Sequence, residues 1–181
     1  MKLIFFKRSS YIKTCIMTTI IKDDINKVMR AIVKIDRDLF FKRTNHSTYQ
    51  NEKYWLNALK HTGIVPRILM FDDSRKMLAL EYKGEPVTSS TLPEDWKEQM
   101  NRILSILKDN NCRHNDIKPA EILVHNGKIF LCDFGWASRM DRPVPCTFPN
   151  CLGGPWKCPT GLNDRFSFEK SINSILVNRF M

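Results

Sequence analysis

The chain has 181 residues, 43% of them hydrophobic, and carries 29 Lys and Arg against 19 Asp and Glu, a formal charge of +10. That length suits one ordinary domain or two small lobes with a packed core. The basic excess suits acidic partners, but no basic run exceeds two residues, so a nucleic-acid role is not expected from charge alone.

At the N-terminus the apolar stretch Leu3-Ile4-Phe5-Phe6 stops at Lys7-Arg8. It is too short for a signal peptide, which needs an apolar run of ~7–15 residues. Nor is there a run approaching the ~20 apolar residues of a membrane span. A cytoplasmic protein without a membrane partner is the expectation, with residues 1–17 as an extension. Residues 18–21 and 30–35 are β-branched or apolar and flank a polar stretch at 22–27, which predicts two strands and a turn. A third strand is expected around Leu39-Phe40-Phe41-Lys42. Ser47-x-x-Gln50 has the pattern of a capping box and predicts a helix after it. On that helix Tyr49, Glu52, Leu56 and Leu59 share one face, with Trp55 beside them, so a carboxylate sits on an otherwise apolar stripe. Gly63 ends the helix, and residues 67–71 and 77–82 read as an antiparallel pair across the polar turn 72–76. Gly84, Pro86 and Ser89-Ser90 mark the boundary between an N-terminal lobe, 18–84, and a C-terminal lobe, 85–181.

Thr91-x-x-Glu94, with Pro93 inside it, predicts the start of the next helix. Its apolar stripe is Trp96, Met100, Ile103, Leu104 and Leu107, which are core positions. Next comes the block Cys112-Arg113-His114-Asn115-Asp116-Ile117-Lys118-Pro119. A hairpin follows, with residues 122–125 and 128–131 flanking Asn126-Gly127, the dipeptide favoured in a type I′ turn. Counting outward, 125 faces 128, 123 faces 130 and 121 faces 132. Opposed residues lie only ~5 Å apart at Cβ. Glu121 and Asp133 can therefore reach one metal site, with Asp116 approaching from the preceding loop. Residues 139–161 are rich in Pro, Cys and Gly and predict an irregular loop. A last helix is expected over 166–180, apolar at Phe168, Ile172, Ile175 and Leu176. Of six cysteines, Cys112 and Cys132 read as small core residues. Cys146, Cys151 and Cys158 lack the fourth ligand and tight pairing of a structural zinc site, so free thiols are expected.

Two aspartates, Asp116 and the Asp133 of Asp133-Phe134-Gly135, with Lys118 beside the first, fit phosphoryl transfer from ATP. One orients a hydroxyl nucleophile and the other holds magnesium. The stretch 39–137 resembles the protein-kinase family, in a small and divergent form. The resemblance implies an α+β, protein-kinase-like fold with a small β-rich N-lobe and a reduced, mostly helical C-lobe. It implies ATP and Mg2+ as cofactors and a protein partner bearing a Ser/Thr hydroxyl. Asp116 then matches the catalytic base and Lys118 the contact to the transferring phosphate, a spacing found in serine/threonine rather than tyrosine kinases. Asp133 matches the magnesium aspartate, and Glu121 stands where a second metal ligand, normally asparagine, is found. Lys42 resembles the strand lysine that contacts the α and β phosphates, and Glu52 the helix glutamate that holds it. Glu81, Tyr82 and Lys83 fall where the hinge binds adenine through backbone groups.

Several departures accompany the match. Asn115 replaces the usual arginine, which removes a basic anchor for a phosphorylated activation loop. No glycine precedes Gly63, so the family's glycine-rich phosphate loop is absent, and only 46 residues follow Gly135. The overall look is similar to minimal kinase-like proteins of large DNA viruses, for which a host cytoplasm would be the setting. An active serine/threonine kinase is the leading expectation. A nucleotide-binding pseudokinase or scaffold, and a small-molecule kinase, are the alternatives.

Overall fold

The computed structural model describes residues 32–35, 39–43 and 46–177. The strand expected at 18–21, its turn and the N-terminal extension lie outside the described residues. Strands β1 (Ile32–Ile35), β2 (Leu39–Arg43), β3 (Ile68–Asp72) and β4 (Met77–Glu81) form one antiparallel sheet in the order β1-β2-β4-β3. In β4, Leu78, Ala79 and Leu80 are all buried, as expected of an inner strand. Lys42 of β2 lies opposite Leu78. Between β2 and β3 runs helix α1 (His46–Leu59). Its predicted face is the buried one: Tyr49, Glu52, Leu56 and Leu59 are inaccessible and Trp55 nearly so. Truncating a leucine there to alanine typically costs about 2–5 kcal/mol.

After β4 the short strand β5 (Glu85–Pro86) leads to α2 (Trp96–Asp109), which buries Met100, Ile103 and Leu107. Strand β6 (Cys112–Arg113) follows, and then the hairpin of β7 (Ile122–His125) and β8 (Lys128–Leu131). Asn126 and Gly127 have φ of 50° and 72°, the two positive angles a type I′ turn requires. The register is the one counted from the turn, with His125 opposite Lys128 and Leu123 opposite Phe130. β5 joins the outer edge of β7, and β6 pairs with β9 (Ser138–Arg139). Helix α3 (Asp164–Val177) closes the described chain and buries Phe168 and Ile172. One buried cluster joins Leu56, Leu80, Met100, Ile122, Phe134 and Phe168, so both parts of the chain share a core.

Three helix starts differ from expectation. α1 begins at His46, which puts Ser47 in its first turn rather than ahead of it. α2 begins at Trp96 because the Thr91 hydroxyl serves a local turn instead. It accepts the Thr88 N–H at 2.9 Å and shares a hydrogen bond with the Thr88 hydroxyl at 3.0 Å. Hydroxyls bonding nearby backbone in this way compete with helix formation. α3 begins two residues earlier than expected, at Asp164.

Candidate active site

Lys42 reaches from β2 into the core, where its Nζ lies 2.7 Å from Glu52 Oε1 and 2.8 Å from Asp133 Oδ1. Glu52 is thus the carboxylate on the apolar face of α1, and an ammonium compensates its burial. Burial alone pushes the Lys42 ammonium towards neutrality. The charges of Asp133 and Glu52 outweigh that and hold it above the ordinary lysine range. Asp133 itself sits at φ 63°, just ahead of a 3-10 turn at Phe134–Trp136. α1 grips the same segment from above: Asn51 Nδ2 donates to the carbonyls of Gly135 and Ala137 at 3.0 and 2.8 Å, and Trp55 Nε1 to Ala137 at 3.2 Å.

The loop after β6 is held just as closely. Asp164, in the first turn of α3, accepts the backbone N–H groups of His114 and Asn115 at 2.7 and 2.8 Å. Asn115 has φ 69°, and its Nδ2 donates to the Trp136 carbonyl and the Ser138 hydroxyl at 2.8 and 2.9 Å. His114 Nδ1 accepts the Asp116 N–H at 3.3 Å, so Nε2 carries the proton and donates to the Cys132 carbonyl at 2.9 Å. Its ring packs edge-on to Phe134. The result fixes Asp116, whose Oδ2 accepts from Lys118 Nζ at 2.8 Å and whose Oδ1 accepts the Gly153 N–H at 2.9 Å. Lys118 also lies 3.2 Å from Glu121 Oε1. Burial lowers the Lys118 ammonium, but Glu121 and Asp116 more than offset this and leave it raised.

Glu121 enters where the hairpin count put it, since the Cys132 N–H donates to the Glu121 carbonyl at 3.0 Å. Its side chain is buried, and Oε2 has no hydrogen-bond partner. Burial pushes the carboxyl up to about 7. Lys118 opposes that shift, while the charges of Asp133 and Asp116 add to it. Among the described residues no three His, Cys, Asp or Glu side chains form a ready-made metal cage. The three acids are instead distributed over two lysines. Magnesium does not need a cage: it takes one or two carboxylates and completes its shell with water and phosphate. An unsatisfied buried carboxylate oxygen is the donor such an ion accepts, so Glu121 with Asp133 fits it.

At the end of β4, Glu81 accepts hydrogen bonds from Lys83 at 2.7 Å and Arg67 at 3.0 Å. Burial pushes its carboxyl up, but these bonds prevail and hold it below the ordinary range. Tyr82 donates to Glu85 at 2.7 Å, and Lys83 lies over the Phe130 ring. A cavity of about 490 Å3 lies apart from both lysine clusters, between α2, β6 and the start of α3.

A family model described as a protein kinase domain matches residues 17–159. The chain belongs to the protein kinase family. It is 31% identical over 118 residues to the serine/threonine-protein kinase TIO of Arabidopsis thaliana, covering 59% of this chain and 8% of that protein. To mouse cyclin-dependent kinase-like 4 it is 33% identical over 94 residues, 45% of this chain and 28% of the relative. To a probable serine/threonine-protein kinase BUD32 homolog of Archaeoglobus fulgidus it is 25% identical over 126 residues, 70% of this chain and 61% of the relative. The kinase chain thus spans less than two thirds of each of these relatives. Among its described residues no helix is long and apolar enough to cross a membrane.

Within this kinase fold, the structure brings together Lys42, Glu52 and Asp133 in one cluster and Asp116, Lys118 and Glu121 in the next. Glu81, Tyr82 and Lys83 stand at the end of β4. Sequence reasoning missed Asp164, Asn51 and Gly153, and gave Trp55 only a place beside the buried face of α1. Asn163-Asp164 ahead of an apolar helix does signal a helix start, but nothing marks its contact with a loop 50 residues away. Of the loop cysteines, Cys146 and Cys151 are exposed. Cys158 is buried, with its Sγ 3.1 Å from the Thr160 hydroxyl, which helps hold the thiol below its usual pKa.

Proposed function

We propose that this chain transfers the γ-phosphoryl group of ATP, with magnesium, to a serine or threonine hydroxyl of a protein. The observation that carries the reading is the pair of lysine–carboxylate clusters, Lys42 with Glu52 and Asp133 beside Lys118 with Asp116. Phosphoryl transfer asks a protein mainly for positioning and charge, and these groups supply both. Asp116 orients the acceptor hydroxyl and takes its proton, while Lys118 faces the transferring group. Lys42, oriented by Glu52, meets the α and β phosphates, and the backbone of 81–83 meets adenine. Asp133 and Glu121 would hold magnesium, which would neutralise charge on the phosphate oxygens. The names of two relatives, both serine/threonine-protein kinases, support the acceptor class. We place the activity in the cytoplasm, where the five described cysteines, all free, stay reduced.

Incubation with γ-labelled ATP, magnesium and generic protein substrates tests the proposal, with Asp116→Asn as control. The expected result is label on serine or threonine from the wild-type chain alone; equal label from both chains defeats it. A second reading, nucleotide binding without turnover, is favoured by the acid at 121, where the family has a neutral amide. Stabilisation by ATP and magnesium in a thermal shift, with no label transferred to any substrate, would select it.

A further inference from the structure

We propose that Gly153 is a positioning residue for phosphoryl transfer, its backbone N–H fixing the carboxylate of Asp116; this rests on the function proposed above. The Gly153 N–H lies 2.9 Å from Asp116 Oδ1, and Lys118 Nζ lies 2.8 Å from Oδ2. Both oxygens are therefore pinned, and the plane of the carboxylate cannot rotate. A carboxylate offers about four acceptor sites, so two remain for an incoming hydroxyl. Donors aimed at a base before the substrate arrives are what preorganisation requires.

The donor is held in place by its own loop. Leu152 is buried, and its N–H bonds Pro149 O at 3.0 Å. The Gly154 N–H bonds Cys151 O at 2.9 Å, and the Trp156 N–H bonds Gly153 O at 3.0 Å. The 3-10 turn Gly154–Trp156 packs on α3, the helix whose Asp164 grips the amides of His114 and Asn115. One helix thus supports the catalytic loop from both ends. Glycine is required at 153 because φ is 81° and a Cβ there would lie 3.1 Å from Lys157 Cβ. Through the Gly153 N–H the Cys- and Pro-rich loop thereby reaches the base.

The test compares Gly153→Ala with Gly154→Ala in single-turnover transfer from ATP. Gly154 also has positive φ, 47°, but nothing lies within 4 Å of its Cβ site and its N–H does not touch the base. Gly153→Ala is expected to slow transfer by about tenfold to a hundredfold, the worth of one charge-assisted hydrogen bond, with KM for ATP unchanged. Gly154→Ala should stay within about threefold of wild type, since it bears only the backbone penalty. Should Gly153→Ala fold poorly, adding Lys157→Gly removes the side-chain contact. In an Asp116→Ala background Gly153→Ala should add nothing, because groups acting through one another are non-additive. Equal losses at the two glycines, or a full further loss without Asp116, would overturn the proposal.

Amide hydrogen exchange reads the contact without activity. Asp116→Ala should speed exchange at Gly153 by about tenfold or more, while Lys118→Ala should not. An unresponsive Gly153 amide overturns the proposal. A wild-type chain that transfers no label while Gly153 still responds sinks the function reading and leaves the positioning of Asp116 standing.

Discussion

Glu121 gives the sharpest pH dependence to look for. Its carboxyl is pushed up to about 7 from an ordinary 4.5. Burial is the first cause; Lys118 at 3.2 Å recovers part of it, and the charges of Asp133 and Asp116 work against that recovery. Between pH 4.5 and about 7 the folded chain therefore keeps a proton that the unfolded chain has released. Stability must fall as pH rises through that window, the reverse of an ordinary salt-bridged acid. At roughly 1.4 kcal/mol per pH unit, the cost above pH 7 is on the order of 3 kcal/mol. Glu121→Gln removes the titration and keeps the shape and an oxygen for Lys118. Urea unfolding of both chains at about pH 4.5, 6, 7 and 8, with chelator present, isolates the effect, because groups remote from position 121 titrate alike in both. The stability advantage of the variant should grow by about 3 kcal/mol from the lowest pH to the highest. Replacing Lys118 by methionine as well should remove the opposing charge and enlarge the burial penalty in chains that keep Glu121. A stability gap between the wild-type chain and the Glu121→Gln variant that does not change with pH would refute the reasoning.

Lys42→Met takes the shared cation from two buried carboxylates, and urea unfolding near neutral pH should show a loss of about 3–5 kcal/mol. A loss below about 1 kcal/mol would mean that Glu52 and Asp133 are adequately held by other groups. Asp164→Ala leaves the amides of His114 and Asn115 without their acceptor; about 2–4 kcal/mol should be lost, with faster exchange at both amides. Unchanged exchange there would contradict the anchoring role. Gly127→Ala meets no atom within 4 Å, so only its left-handed backbone is penalised, by about 1 kcal/mol in thermal unfolding. A loss several times larger would show that the hairpin turn carries more than its own conformation.

What could be read from the residues was what local chemistry decides. Asn126-Gly127 fixes its turn by φ alone, and the turn then fixes which residues oppose one another out to Glu121 and Cys132. The buried face of α1 followed from spacing, and the family resemblance paired Glu52 on that face with Lys42, whose Nζ lies 2.7 Å away. Helix starts were harder because Thr88 and Thr91 bond to each other as readily as to a helix end. The loop at 139–161 was opaque for a different reason. Its shape rests on backbone hydrogen bonds and on left-handed residues at Gly153 and Gly154, and its partner Asp116 lies 37 residues away. No periodicity records such contacts. Asp164 was hidden in the same way, since an acid in a first helical turn usually serves its own helix.

The arrangement of charge also explains why nucleotide and cation belong together on the proposed reading. Lys42 is engaged by Glu52 and Asp133, and Lys118 by Asp116 and Glu121. Phosphates that draw Lys42 and Lys118 towards themselves weaken the compensation of Asp133 and Glu121, both of them buried. Uncompensated buried carboxylates cost several kcal/mol each, so a polyanion arriving alone meets a penalty at the very groups that attract it. Asp133 and Glu121, released by the lysines, would hold a divalent cation whose charge would remove the penalty. The acid at 121 tightens this exchange, because a neutral amide there would leave one fewer charge to be compensated. On that reading, the side chain that makes the folded chain sensitive to pH would also make nucleotide binding dependent on metal.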